Sequence, residues 1–173
     1  RLDAEILLCH VLECSREFLI TENNRELTEN QHEVLKELYK RRSDNEPVAY
    51  ITGTKEFYGH QFVVTPHVLI PRPATEGLVD LALDFVKSGT REVRDIDTDV
   101  IAIAVPIGDA KEAQAILDVG TGSGCIAIIM KKQLPELEVF GTDISEEAVA
   151  IAERNAELSV VKINNSQGSL LDA

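Results

Sequence analysis

The sequence predicts an α/β fold: a small helical bundle, then a β-hairpin, then a parallel sheet flanked by helices. Apolar residues recur at helical spacing through residues 1–53. In the next segment, apolar residues alternate around Gly59, as is typical of a β-hairpin. An apolar run at 115–119 leads through a glycine-rich segment into a second apolar run of helical length, as in a buried parallel strand that turns into a helix. We therefore expect a helical bundle at 1–53, a hairpin linker at 54–73 and an α/β domain at 74–173.

Composition narrows the classes of function. The chain of 173 residues has a formal net charge of −13, which disfavours electrostatic binding to a nucleic-acid backbone. It contains no apolar run of transmembrane length and no signal-peptide pattern. Three cysteines without metal-ligand spacing and four scattered histidines predict no metal site and a reducing, intracellular setting.

The first 53 residues carry signals for helix ends but no catalytic cluster. Ser15 is a candidate cap for a short helix, and Thr28 with Gln31 forms a capping-box pair. Pro47 begins a last short helix that Gly53 ends. We interpret this region as a docking module.

The next segment joins a hairpin to a rigid, proline-rich stretch. Phe57 and Phe62 alternate around Gly59, and Pro73 is suited to the first turn of a helix. Arg72 lies between two prolines and is therefore held in a fixed direction, which favours a contact over a free surface charge.

The most informative stretch is the glycine-rich segment that contains Gly120, Gly122 and Gly124. Glycines allow positive φ and let a ligand approach a backbone without Cβ atoms, and the following helix offers unpaired N–H groups. Three alternating glycines also cost folding entropy. Because we expect no packing role for them, we interpret the segment as a ligand site.

The spacing distinguishes between nucleotide-like ligands. The dinucleotide pattern G-x-G-x-x-G requires a glycine at position 125, which is Cys125. Asp118 precedes the first glycine by two residues; its carboxylate would not favour a pyrophosphate but could pair with a cationic ligand. S-adenosylmethionine, which has an ammonium, a sulfonium and no phosphate, is therefore preferred over NAD.

A second acid supports this interpretation. Residues 137–142 are predicted as the next strand, and Asp143 stands at its carboxyl end, about 20 residues beyond the glycines. In nucleotide-binding α/β units an acid at this place accepts hydrogen bonds from the ribose hydroxyls. The alternative role for Asp143 is a helix N-cap, but Ser145 is better placed for that.

The remaining stretches give weaker signals. Residues 88–114 are interpreted as a linker with one strand or short hairpin, 145–158 as a helix, and 160–163 as a third strand. A sheet of about three strands is short of the usual six, so we expect the domain to be cut.

Three segments together resemble HemK/PrmC-type protein methyltransferases. They are the glycine segment with its strand, the segment Glu56-Phe57-Tyr58-Gly59-His60 followed by Val68-Leu69-Ile70-Pro71-Arg72-Pro73, and the opening Arg1-Leu2-Asp3-Ala4-Glu5. The resemblance implies an N-terminal helical bundle, a hairpin linker and a Rossmann-like domain. It also implies S-adenosylmethionine-dependent methylation of the glutamine side-chain amide in the Gly-Gly-Gln motif of peptide-chain release factors.

The resemblance also implies a set of cofactor-binding residues, to be added to Asp118. This set comprises Gly120, Thr121, Gly122 and Gly124 at the methionine portion, Asp143 at the ribose hydroxyls, Ser169 and Leu170 at the adenine, Arg72, Pro73 and Thr75 from the linker side, and Ile144. The family's Asn-Pro-Pro-Tyr motif is absent, Ala74 replaces a usual acid, and the linker before the glycine strand is long. We therefore expect a fragment that holds no catalytic residue and transfers no methyl group as it stands.

Two other functions remain open at this point. One is a non-catalytic module that binds S-adenosylmethionine or docks a partner, and the other is an NAD-dependent dehydrogenase, which Cys125 disfavours. We expect a cytoplasmic location, with an organellar one left open because the chain does not begin with Met.

Overall fold

The computed structural model describes residues 2–21, 26–88 and 115–169. The protein divides into two compact units, Arg1–Thr54 and Lys55–Ala173. Residues 89–114, which include nearly all of the segment expected to hold a strand or short hairpin, lie outside the described residues, and so does Leu170.

The described part of the first unit is helical, as predicted. Its helices are α1 (Leu2–Leu12), α2 (Arg16–Thr21), α3 (Glu29–Ser43) and α4 (Val48–Thr52). Helices α1, α3 and α4 pack around a small apolar core formed by Leu7, Leu35, Leu38 and Ile51. The predicted capping box is confirmed: the Gln31 N–H donates to Thr28 Oγ1 at 3.3 Å, and the Thr28 N–H donates to Gln31 Oε1 at 3.1 Å.

The predicted hairpin is also confirmed, with β1 at Thr54–Phe57 and β2 at His60–Val63. Its two-residue turn places Tyr58 at φ 53° and Gly59 at φ 74°, the left-handed conformation that tight hairpin turns require. The buried Phe57 and Phe62 rings meet edge to face, with their centroids 6.1 Å apart. The two strands therefore bury one aromatic face.

Helix α5 (Pro73–Ser88) begins at the predicted proline, and two of its side chains accept hydrogen bonds from the hairpin turn. The Tyr58 N–H donates to Glu76 Oε1 at 2.9 Å, and the Tyr58 hydroxyl donates to Asp80 Oδ1 at 2.7 Å. Val79 and Leu83 of α5 belong to the main core of the second unit.

A parallel sheet forms the centre of the second unit, which confirms the predicted α/β class. Strands β3 (Ala115–Val119), β4 (Glu138–Asp143) and β5 (Asn164–Gln167) pair in the order β3-β4-β5. Helix α6 (Cys125–Gln133) connects β3 to β4, and α7 (Glu146–Leu158) connects β4 to β5. The carboxyl ends of the strands therefore meet at one edge, where the glycine segment begins.

The predicted position of the third strand, 160–163, is wrong. Val160 has φ 56° and is 91% exposed, and the Val161 N–H donates back to the Ala156 carbonyl at 3.1 Å. These apolar residues therefore end α7 in a turn. The strand is the polar segment Asn164–Gln167, because its backbone pairs with β4 even though its side chains lack the apolar pattern.

Candidate functional site

The glycine segment forms a tight turn between β3 and α6 at the carboxyl edge of the sheet. Gly120, Gly122 and Gly124 have φ values of 73°, 53° and 76°. The backbone N–H groups of Gly120 and Thr121 both donate to the Thr142 carbonyl, at 2.8 and 2.9 Å. The turn is therefore fastened to the neighbouring strand β4.

Side chains and glycines alternate between the two sides of this turn. Thr121 and Ser123 are buried, whereas Gly120 is exposed and Gly122 is partly exposed. A Cβ atom at Gly120 would meet no atom within 4 Å, and one at Gly122 would approach only the Gly120 carbonyl oxygen, at 3.9 Å. The outer face of the turn is therefore bare backbone with space in front of it.

Gly124 differs from the other two glycines and corrects one expectation. A Cβ atom there would lie 3.0 Å from Ala152 Cβ and 3.2 Å from Ala152 Cα. The expectation that the glycines have no packing role is therefore wrong for Gly124, which lets α7 approach the start of α6. The ligand interpretation rests on Gly120 and Gly122.

Asp118 lies behind the turn, where it holds the turn and the helix together. It is 3% exposed, and its Oδ2 accepts hydrogen bonds from the Thr121 hydroxyl at 2.8 Å and from the Ala127 N–H at 3.3 Å. Burial raises the pKa of Asp118 and the nearby charge of Asp143 adds to this, while the two hydrogen bonds act in the opposite direction. A direct contact between Asp118 and a ligand cation stays a prediction.

Asp143 lies beside the turn, at the last position of β4. Its Oδ2 accepts a hydrogen bond from the Gly122 N–H at 2.9 Å, and its Oδ1 accepts one from the Ser145 N–H at 3.1 Å. Ser145 caps α7, since its Oγ accepts from the Ala148 N–H at 3.1 Å, which confirms the predicted cap. Asp143 is therefore not the cap, and its carboxylate is brought directly beside the glycine turn.

Cys125, the residue that breaks the dinucleotide pattern, is the first residue of α6 and belongs to the core. Burial raises the pKa of its thiol to about 12, with a hydrogen bond involving Ser123 acting in the opposite direction. At neutral pH the thiol is therefore protonated and behaves as a small apolar group, not as a nucleophile.

The other predicted site residues differ in exposure. Ile144, beside Asp143, is 76% exposed. The Gly168 N–H donates to the Asp143 carbonyl at 3.0 Å, so the chain that leads to Ser169 runs next to Asp143, while Leu170 lies outside the described residues. The structure thus brings Asp143, Ile144 and the approach to Ser169 together at the sheet edge.

The three residues predicted to approach from the linker lie at the start of α5. Arg72 and Pro73 are exposed, whereas Thr75 is buried and its N–H donates to the Arg72 carbonyl at 2.9 Å. This contact shapes the first turn of the helix. Their approach to a cofactor stays a prediction.

Sequence reasoning missed the role of Asn155, a residue of α7. It is 1% exposed, and its side chain hydrogen-bonds both to Val63 of the hairpin and to Ser123 of the glycine turn. A signal was present: Asn155 stands on the apolar face that includes Ala148 and Ala152, and a polar side chain on a buried face needs partners.

Within residues 2–21, 26–88 and 115–169, no group of three or more His, Cys, Asp or Glu side chains is arranged to hold a metal ion. None of the described helices combines the length and the apolar character that crossing a bilayer requires.

Two family models match the chain. Residues 1–53 match the PrmC N-terminal domain, and residues 90–173 match the methyltransferase small domain. The second match ends where the chain ends and includes the glycine turn and Asp143.

Curated relatives are similar over nearly the whole chain. A release factor glutamine methyltransferase of Koribacter versatilis is 41% identical over 173 residues, which is 100% of this chain and 54% of that protein. The protein of the same name in Aliivibrio fischeri is 36% identical over 95% of this chain and 49% of its own length. A bifunctional methyltransferase of Rickettsia typhi is 42% identical over 89% of this chain and 29% of its own length. The chain thus spans about half the length of the release factor glutamine methyltransferases that it matches.

Proposed function

Because the chain belongs to the PrmC family of methyltransferases, we propose that the protein methylates the glutamine side-chain amide in the Gly-Gly-Gln motif of a peptide-chain release factor. The proposed methyl donor is S-adenosylmethionine. In this proposal, residues 1–53 dock the substrate, 54–73 form the linker, and the region from 74 onward holds the donor.

The observation that carries this proposal is the bare outer face of the glycine turn beside Asp143. At Gly120 and Gly122 a ligand can approach the backbone without meeting a side chain. The phosphate-free donor also needs no third glycine at position 125, where Cys125 is part of the core. The residues present therefore fit S-adenosylmethionine.

The proposed contacts follow from the geometry of the turn. Gly120, Thr121 and Gly122 would line the methionine portion and offer backbone carbonyls to its ammonium, because their N–H groups already donate to Thr142 and Asp143. Gly124 would line it as well, besides letting α7 pack close to the start of α6. Asp143 would accept hydrogen bonds from the ribose hydroxyls. Its two oxygens accept one backbone N–H each, and a carboxylate has about four lone-pair sites, so acceptor capacity remains.

The remaining predicted residues would surround the rest of the donor. Ile144 would present its exposed side chain to the nucleoside, with Ser169 and Leu170 beside the adenine. Arg72, Pro73 and Thr75 would approach from the start of α5. Asp118 would act from behind the turn, by fixing Thr121 and the first turn of α6.

When bound, S-adenosylmethionine supplies an electrophilic methyl group. An amide nitrogen is a poor nucleophile, so the protein must hold the substrate amide in line with that group, and positioning of this kind lowers a barrier substantially. The 173 residues contain no Asn-Pro-Pro-Tyr sequence, and we assign no catalytic residue within them.

The test is transfer of labelled methyl from S-adenosylmethionine to a release factor by the full-length protein, with the Gly-Gly-Gln glutamine changed to alanine as the control substrate. The proposal predicts label on the unmodified substrate only. Equal labelling of both substrates would contradict the assigned acceptor. Binding of S-adenosylmethionine without any transfer by the full-length protein would instead favour a non-catalytic binding module.

A further inference from the structure

The side chain of Asn155 makes three hydrogen bonds inside the second unit. Its Oδ1 accepts from the Val63 N–H at 2.7 Å. Its Nδ2 donates to the Val63 carbonyl at 3.0 Å and to the Ser123 carbonyl at 2.8 Å. Both amide hydrogens and the amide oxygen therefore have partners, as a side chain that is 1% exposed requires.

These bonds join parts of the chain that are distant in sequence. Val63 is the last residue of β2, 92 positions before Asn155, and Ser123 lies within the glycine turn, 32 positions before it. One side chain of α7 thus connects the end of the hairpin to the backbone between Gly122 and Gly124. A residue without two N–H donors could not bind both carbonyls.

The other end of the hairpin is held as well. The turn residue Tyr58 bonds to Glu76 and Asp80 of α5, the helix that begins at Pro73. The hairpin is therefore fastened to α5 at its turn and to the glycine turn at its open end. Asn155 is therefore bonded both to the backbone at Ser123 and to the end of the hairpin.

We propose that Asn155 is a positioning residue for the methyl-donor site: it sets the backbone of the glycine turn through Ser123 and couples that turn to the hairpin. The inference rests on the proposed function, because it assumes that S-adenosylmethionine binds at the turn. It adds that binding of the donor orders the hairpin, and that the strength of binding depends on the Asn155 amide.

The variant Asn155→Asp tests the first part. It preserves the size of the side chain and an acceptor for the Val63 N–H, but it leaves the Val63 and Ser123 carbonyls without their donors. We expect at least a tenfold weaker Kd for S-adenosylmethionine by calorimetry, at a temperature where the variant is folded. Leu83→Ala is the matched control, since it removes core packing from α5 at a residue that belongs neither to the glycine turn nor to the hydrogen bonds of Asn155.

The control separates positioning from general destabilisation. If Leu83→Ala lowers Tm as much as Asn155→Asp but keeps its Kd within about twofold of the original protein, the effect belongs to the amide and not to lost stability. A tenfold loss of affinity in both variants, or in neither, would overturn the inference.

Hydrogen exchange on the unmodified protein tests the second part, even if Asn155→Asp does not fold. Saturating S-adenosylmethionine should slow exchange of the Val63 N–H, which donates to Asn155, as well as the Gly122 N–H at the site itself. Slower exchange at Gly122 with no change at Val63 would overturn the coupling alone. No binding at all would overturn the proposed function and this inference with it.

Discussion

The two turns that lead from a strand into a helix at the sheet edge are built in opposite ways. The turn after β4 contains no glycine: Ser145 caps α7 with its hydroxyl, and Asp143 accepts the Ser145 N–H. The turn after β3 contains three glycines with positive φ, and Gly124 at the start of α6 provides no side-chain cap.

A side chain of the preceding strand takes the place of the missing N-cap of α6. Asp118, on β3, accepts the Ala127 N–H and so provides the acceptor that a capping side chain would offer. This arrangement leaves the outer face of the turn without side chains. The turn after β4 starts a helix through an ordinary side-chain cap, whereas the proposed donor site lies on the turn after β3, where the capping contact comes from another strand.

Gly124→Ala should show the largest effect, because it introduces both strain and crowding. A non-glycine residue at φ 76° costs roughly 1–2 kcal/mol, and overpacking against Ala152 adds roughly 1–3 kcal/mol. We expect the free energy of unfolding of the second unit to fall by about 2–5 kcal/mol, measured by urea denaturation with hydrogen exchange at α6. Gly120→Ala is the control: it has a similar φ but open space, so only the smaller strain penalty is expected, and equal losses would refute the packing role of Gly124.

Asp118→Ala should have the next largest effect. It leaves the Thr121 hydroxyl and the Ala127 N–H without their buried acceptor, while it also removes a carboxylate that is costly to bury. We expect a net loss of roughly 1–3 kcal/mol in the free energy of unfolding, again read from denaturation. A loss below 0.5 kcal/mol, on the order of an ordinary surface substitution, would show that the cap from behind the turn is not needed.

The pH dependence of Asp118 provides a separate check. The pKa of Asp118 is raised in the folded protein above the unfolded value of about 3.9. The contribution of Asp118 to folding stability is therefore fully present below that pH and is lost as the pH rises through the folded pKa. Relative to Asp118→Asn, the original protein should therefore lose stability as pH rises above about 4. If the original protein instead gained stability relative to Asp118→Asn as pH rises, folding would stabilise the charged form of Asp118.

Ser145→Ala should show the smallest effect. Loss of an N-cap hydroxyl costs about 1 kcal/mol, and the bond between Asp143 and Gly122 does not depend on it. Denaturation should show this modest loss of stability. Calorimetry should show a Kd for S-adenosylmethionine within about threefold of the original, which is well below the tenfold change that corresponds to about 1.4 kcal/mol. Loss of binding would mean that the turn after β4 also shapes the donor site.

Local signals were enough to predict much of this structure. The capping box at Thr28, the hairpin around Gly59, the helix start at Pro73 and the strand that ends at Asp143 each depend on residues close together in sequence. Such signals act through the backbone of their own segment.

The features that were missed depend on contacts between distant residues. The close approach of Ala152 to Gly124 and the bonds of Asn155 to Val63 exist only once α7 has packed on the turn. The polar strand Asn164–Gln167 is likewise defined by pairing with β4, and not by its own side chains. The pattern within α7 indicates that a polar side chain on its apolar face needs partners, but no pattern within a single segment identifies those partners.

Calorimetric titration of the protein and of Asp143→Ala tests whether the glycine turn and Asp143 together bind S-adenosylmethionine. We expect saturable binding that weakens by roughly 1.5–3 kcal/mol in the variant, the range for hydrogen bonds to a charged group. NAD titrated in parallel should not bind. Unchanged affinity in a folded Asp143→Ala variant, or preferential binding of NAD, would contradict the proposed donor site.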